Sequence, residues 1–401
     1  MMKTALLLSL YQYRELKKMS HELRGSSAVV GVGLAGCGEA HGRAPLDILA
    51  EATHNALEDA GLKLSDVDGI FTGSSYHFMP ALSTAEYLGI KPRFSDSSMV
   101  GGSSFVAHTL NAAMAIKTGQ CDVALICYGS NQRTAGGKLA TMSEQQIYEA
   151  PYKPRYPISS YALAAARHMH QYGTTREQMA DVAVAARQWA QLNPAAFARD
   201  DLTRQDVLNS RMISDPLSLL DCCLVTDGGG AVIMVSSERA KDFPNKPVYV
   251  LGTGTAHWHR QITQMPDLTT TAAVDAGKRA FAMAGLTKDD VDVVELYDAF
   301  TINTILFLED LGFCAKGEGG AFVENGNIAP GGSLPVNTNG GGLSCVHPGM
   351  YGIFILIEAI QQLRGGCGAR QVDNPEVALV NGNGGVLSSQ VTTILGTEAV
   401  L

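Results

Sequence analysis

The chain has 401 residues, 46% of them hydrophobic and 17% charged, with a formal net charge of −9; this excludes an intrinsically disordered chain and leaves apolar surface enough for two domains or one domain built twice. The acidic balance carries no basic stripe, which argues against nucleic acid as a partner. Eight cysteines with no CxxC pair and no metal-type Cys/His spacing read as reduced thiols in a cytoplasmic protein without structural zinc or another metal.

Residues 1–26 read as an extension outside the core. The apolar run at 5–11 is too short to span a bilayer and lacks a small-residue cleavage site, and Met19 is an alternative natural start. A strand is expected at 28–30, running into Gly31-Val-Gly33-Leu-Ala-Gly36. Those glycines fit the G-x-G-x-x-G dinucleotide fingerprint, but Cys37-Gly-Glu-Ala-His-Gly-Arg43 intervenes before the helical pattern near Pro45, and no strand-end acid follows at the expected distance. They read instead as a strand-end turn.

Residues 56–68 form an amphipathic helix ended by Gly61 and a short acidic turn, leading into a strand at 69–72. Ser97-Ser-Met-Val-Gly101-Gly102-Ser103-Ser104-Phe105 joins a strand to a helix, with Ser103 and Ser104 read as helix N-caps. A helix over 108–117 leads to a strand at 123–127. Residues 131–221 form an insertion, with a helix over 176–191 and loops rich in Tyr, Pro and Arg suited to binding. Residues 280–292 then repeat 56–68: Ala56, Ala60, Gly61, Leu62, Asp66, Val67 and Asp68 all recur in register, and a strand follows at 293–296. A helix over 352–363 and a strand at 377–381 echo 108–117 and 123–127. Two ordered echoes imply two similar α/β halves packed together.

Five glycine- and acid-rich segments stand out beside these elements: the 97–105 turn, Asp227-Gly-Gly-Gly at the head of an apolar strand ending at Ser236, Glu295-Leu-Tyr297-Asp298-Ala-Phe300, Asn337-Thr-Asn-Gly-Gly-Gly-Leu-Ser-Cys345-Val-His347-Pro-Gly349, and Asn381-Gly-Asn-Gly384-Gly385. With Arg167-His-Met-His-Gln-Tyr172-Gly, residues 181–187 and Asn193-Pro, they resemble the thiolase superfamily from about residue 28 to the C-terminus, above all its sterol-carrier-protein-associated branch. The resemblance implies an α/β thiolase fold of two duplicated βαβαβαββ halves in α-β-α-β-α layers, divided at 27–250 (with the loop insertion) and 251–401. It also implies that the 97–105 turn is the nucleophile elbow, where Gly101 and Gly102 stand in place of the cysteine, and that the second, acid/base cysteine is absent from 381–385.

Thiolysis and Claisen condensation need a thiolate to carry the acyl group. Cleaving a β-hydroxyacyl-CoA needs only a base, an acid and enolate stabilisation. The pattern resembles the thiolase-like aldol-lyases of steroid side-chain degradation, which implies Tyr297 and Tyr351 as acid/base residues and His347 polarising the thioester. Gly101, Gly102, Ser103, Asn381 and Gly384 would supply space and oxyanion or substrate contacts. A tyrosine acting as base near neutrality calls for a pKa below 10 or a hydrogen-bond relay, with His347 or a helix N-terminus lowering it. Asp298 is expected to cap the helix at Thr301. Cys345 is expected on a strand of the second half, away from the elbow.

The resemblance further implies a 17-hydroxy steroid acyl-CoA as substrate, a 17-ketosteroid and propionyl-CoA or acetyl-CoA as products, and no cofactor beyond the substrate's own coenzyme A. It implies a cytoplasmic homodimer bound to an OB-fold, zinc-ribbon partner often linked to a hydratase, with no nucleic acid or membrane involved. The rival readings are an inactive acyl-CoA-binding subunit of a heteromeric complex and a thiolase or acyltransferase with a relocated cysteine.

Overall fold

The computed structural model describes residues 22–135 and 147–401; most of the expected extension and residues 136–146 of the insertion lie outside the described residues. The first half runs β1 (Ser27–Gly38), α1 (Pro45–Ala60), β2 (Gly69–Thr72), α2 (Pro80–Leu88), β3 (Phe94–Asp96), α3 (Ser104–Lys117) and β4 (Ala124–Ser130). After β4 come α4 (Ile158–Tyr172), α5 (Arg176–Gln191), α6 (Arg204–Asn209) and the small hairpin β5 (Met212–Ser214) and β6 (Leu217–Ser218), and the half closes with β7 (Asp227–Ser236). The second half runs β8 (Val248–His257), α7 (Ala273–Ala284), β9 (Val293–Leu296), α8 (Thr301–Asp310), α9 (Gly319–Phe322), α10 (Gly352–Arg364), β10 (Val377–Gly384) and β11 (Ser389–Gly396).

Local chemistry explains these boundaries. α1 opens on Pro45, buries Ile48, Leu49, Ala52, Ala56, Leu57 and Ala60 on one face, and stops at Gly61, which takes the left-handed conformation (φ 66°). α7 stops in the same way at Gly285. α5 starts at the Thr175 hydroxyl, which accepts the Gln178 N–H while the Gln178 side chain accepts the Thr175 N–H.

The strands form one nine-stranded sheet in the order β3-β2-β4-β7-β1-β8-β11-β10-β9. Its halves meet only where β1 pairs with β8, at Ala28 with Tyr249 and Val29 with Val248. α1 covers β1, β4 and β7 from outside, and α7 covers β8 and β11. α3 and α10 touch each other and strands of both halves, so they form the middle of an α-β-α-β-α stack.

Gly31 and Gly33 are not a strand-end turn, because β1 continues to Gly38. Their lack of a side chain lets α1 press its backbone onto the strand: a Cβ on either would collide with the carbonyl of Ala56 or Ala52. Gly252 and Gly254 do the same beneath Ala280 and Ala276 of α7, extending the internal repeat back into the preceding strand. The third strand of the second half is reduced to one parallel bridge, Val294 with Val336. The histidine loop therefore follows Val336 as the elbow follows β3, and each leads into a middle-layer helix.

No helix among the described residues is long and apolar enough to cross a membrane. No group of three or more His, Cys, Asp or Glu side chains that could hold a metal ion occurs among them.

Candidate active site

The two middle-layer helices begin against each other. A Cβ on Gly352 would run into the Gly102 carbonyl, so the elbow before α3 and the end of the histidine loop before α10 share one spot. Both helix N-termini thus contribute positive partial charge to the same place. A cavity of about 450 Å³ opens there, lined by Gly101, Gly102, Tyr297, His347 and Gly384 among others.

Tyr297 follows β9, held by its N–H to the Asn381 carbonyl (3.1 Å). Its hydroxyl donates to the Gly349 carbonyl (3.1 Å) and accepts the Tyr351 N–H (3.2 Å). The ring lies over Gly102: a Cβ there would sit 2.7 Å from Tyr297 Cζ, closer still to Cε2, and 2.9 Å from the Asn383 carbonyl. No cysteine fits at this position without moving the tyrosine.

His347 is fixed through its backbone, whose N–H donates to Thr226 Oγ1 (2.9 Å) while its carbonyl accepts the Thr226 N–H (3.3 Å). Neither ring nitrogen has a hydrogen-bond partner among the described residues, although both are buried. Burial holds the imidazole neutral by pushing its pKa down to about 4. A neutral buried imidazole with unpartnered nitrogens on a cavity wall has one N–H to donate and one lone pair to offer to a ligand. Its ring lies 5.5 Å from that of Tyr297, edge to face, and 5.9 Å from that of Tyr351.

Tyr351 sits behind this pair, fully buried, with its ring 5.6 Å from Tyr297. Its hydroxyl donates to Asn339 Oδ1 (3.0 Å), and it does not line the cavity. Burial pushes both tyrosine hydroxyls up, above the usual phenol range. The expected lowering of their pKa therefore does not occur: the Tyr351 N–H stabilises a Tyr297 phenolate, but loss of water outweighs it.

Ser103 and Asn381 lie next to the cavity without facing it. Ser103 Oγ donates to the Val100 carbonyl (2.7 Å) and lies 2.7 Å from Ser389 Oγ. Asn381 is a β10 strand residue, not a loop residue, and its amide spans Gln390 and Thr392 of β11. Neither serine caps α3 in the usual way; Ser104 Oγ instead accepts the Val100 N–H (3.0 Å).

Asp298 does not cap α8 either. It turns to the histidine loop and accepts the Gly342 N–H (2.6 Å) and the Leu343 N–H (3.3 Å), and burial raises its carboxyl to about 7. Thr301 bonds to Asp221 instead (2.9 Å). Cys345 lies in a π-helical turn over Gly341–Cys345 rather than on a strand. Its thiol is pushed well up by burial and borders a different cavity with Cys37 and Phe354.

Cavity residues that the sequence did not mark include Gln132 and Tyr161, whereas Phe300 and Asn383 belong to marked motifs without having been given a role. The Tyr161 ring lies 4.4 Å from that of Phe300, tilted by 33°, and its hydroxyl accepts the Asn383 amide (2.9 Å). Nothing in its spacing sets Tyr161 apart: Ile158, Tyr161, Ala162 and Ala165 read simply as the apolar face of α4.

A family model described as thiolase C-terminal domain-like matches residues 254–397. The acetyl-CoA acetyltransferase of Methanothermobacter thermautotrophicus is 37% identical, over 89% of this chain and 96% of its own. The 17-hydroxy-3-oxo-4-pregnene-20-carboxyl-CoA lyase of Mycobacterium tuberculosis is 35% identical, over 92% of this chain and 98% of its own. The chain belongs to the thiolase superfamily. Among solved structures, the Ltp2-ChsH2(DUF35) aldolase is 33% identical and superposes with a TM-score of 0.84, covering 94% of this chain and 99% of that one. Within the superfamily, the likeness to a CoA lyase and an aldolase, together with the cysteine-free elbow, supports a carbon–carbon lyase on the thiolase fold.

Proposed function

We propose that this protein is an acyl-CoA aldol-lyase that cleaves a 17-hydroxy steroid side-chain CoA ester to a 17-ketosteroid and propionyl-CoA or acetyl-CoA. The observation that carries this reading is the Tyr297 ring over Gly102, which replaces a nucleophile by a phenol. Thiolysis needs an acyl-enzyme, and the elbow has neither a thiol nor room for one. Retro-aldol cleavage needs none. The β-hydroxyl gives up its proton, the electrons of the Cα–Cβ bond move into the thioester as an enolate, the β-carbon becomes a ketone, and the α-carbon takes a proton. No redox change occurs.

In this reading His347 donates its N–H to the enolate oxygen, helped by the two helix N-termini. Tyr297 exchanges protons with substrate from the cavity wall. Tyr351 is the second acid/base group; to reach substrate its hydroxyl leaves Asn339, and its N–H meanwhile holds Tyr297 in place. Gly101, Gly102 and Gly384 leave space for the thioester, and no cofactor takes part beyond the substrate's coenzyme A. The cavity has the size of a small-ligand site, and Ile158, Leu224, Phe300 and Val386 on its walls suit an apolar polycyclic acyl group.

The same reading has the chain working in the cytoplasm as a homodimer. β3 is an unpaired sheet edge, and the exposed Phe78, Met79, Leu82 and Met99 near it suit a second copy. An OB-fold, zinc-ribbon protein, often linked to a hydratase, completes the assembly; the solved relative's own name pairs it with a second protein.

The test is to incubate the purified chain, alone and with such a partner, with the 17-hydroxy acyl-CoA and to follow ketone release by mass spectrometry. Ketone release supports the reading. Acyl-CoA binding without turnover in either setting points to the inactive binding subunit, and acyl labelling of a cysteine points to a thiolase.

A further inference from the structure

Gln132 lies two residues past the end of β4 and sits on a fixed platform. Its N–H donates to Ser130 Oγ (3.2 Å), and the next two N–H groups, of Arg133 and Thr134, donate to Asp227 Oδ1 (2.8 and 3.1 Å). Tyr76 Oη lies 2.7 Å from Ser130 Oγ and 3.5 Å from Gln132 Oε1. Gln132 Oε1 can only accept, so Tyr76 donates to it and Ser130 Oγ gives its own proton to Tyr76. That oxygen also lies against Gly349, where a Cβ would collide with it. The carboxamide oxygen is thereby turned inward. Nε2 is left with two N–H groups and no partner among the described residues, on a side chain that lines the Tyr297 and His347 cavity.

We propose that Gln132 is a substrate-contacting residue: its Nε2 donates to the thioester oxygen together with His347. An enolate oxygen takes two donors, and in that reading Tyr297 serves the proton exchange and not the enolate oxygen. Asp227, Ser130 and Tyr76 position this donor. The inference rests on the acyl-CoA reading above and names the second donor of that same site.

The test uses octanoyl-CoA labelled with ¹³C at the thioester carbonyl, which binds without reacting, and reads the carbonyl infrared band in the wild type and in Gln132→Leu. The wild-type band is expected below its position in water and closer to it in the variant, with kcat/KM for the hydroxyacyl-CoA reduced about 10²-fold. An equal shift in both proteins overturns the assignment to Gln132 alone. A wild-type band at its aqueous position removes the acyl-CoA reading itself.

Should Gln132→Leu not fold, Gln132→Glu keeps the shape and reverses the polarity. Its activity relative to wild type is expected to rise as pH falls and the new carboxyl protonates; a flat ratio between about pH 7 and pH 4 overturns the proposal.

Discussion

The Tyr297 ring occupies the space into which a side chain on Gly102 would grow: a Cβ there would lie 2.7 Å from Tyr297 Cζ. A side chain at position 102 and the tyrosine ring at position 297 therefore compete for the same space. Gly102→Ala is expected to destabilise the protein by about 1–3 kcal/mol through overpacking, and Gly102→Cys by more without conferring thiolysis. In a Tyr297→Ala background the Gly102→Ala penalty should fall, leaving the part due to the Asn383 carbonyl, which a double-mutant cycle of denaturant unfolding measures. Additive penalties would show that the ring is not what excludes the side chain.

The two tyrosines should separate by kinetics. Tyr297→Phe removes a hydroxyl at the cavity and is expected to lower kcat by about 10²–10⁴-fold with little change in KM. Tyr351→Phe keeps the N–H that holds Tyr297, so a comparable loss in kcat would assign an acid/base role to its hydroxyl. Retention of wild-type kcat would make Tyr351 a positioning residue.

Burial lowers the folded-state pKa of His347 to about 4. Between about pH 6.5 and 4 the unfolded chain binds the extra proton, so stability rises with pH through this window and is lost on acidification. His108, also pushed by burial to about 4, acts in the same direction. His347→Gln should flatten part of this slope and leave the His108 part, as read from unfolding midpoints against pH. A slope equal to wild type would mean that the His347 imidazole is hydrated and not held neutral.

Asp298 ties the N–H groups of Gly342 and Leu343, which precede His347 in the same loop. With its carboxyl raised to about 7 by burial, it loses charge as pH falls through neutrality, and its hold on the two amides weakens. Asp298→Asn is expected to lower kcat about tenfold and to flatten the pH dependence near 7. A wild-type pH profile in that variant would exclude Asp298 as the titrating group.

The sequence alone carried the duplication, since the helix, glycine stop, acidic turn and strand of residues 56–72 recur at 280–296 with local propensities that tertiary contacts did not override. Tyr297, His347 and the glycine elbow were legible through the resemblance of their motifs to the thiolase superfamily, not through periodicity or spacing. Local pattern could not reveal which way a side chain turns once packed. Asp298 precedes a helix and looks like its cap, yet its acceptors serve the histidine loop. Ser103 and Asn381 belong to site motifs but turn into the interior. Tyr351 lies next to the site with its hydroxyl facing Asn339. Gln132 and Tyr161 carried no signal, because only the meeting of α3 and α10 brings distant segments around one cavity. The direction of the tyrosine and histidine shifts was decided by tertiary structure as well: the chain shows neighbouring charges and helix ends, whereas exclusion of water, the larger effect here, exists only after the two halves close.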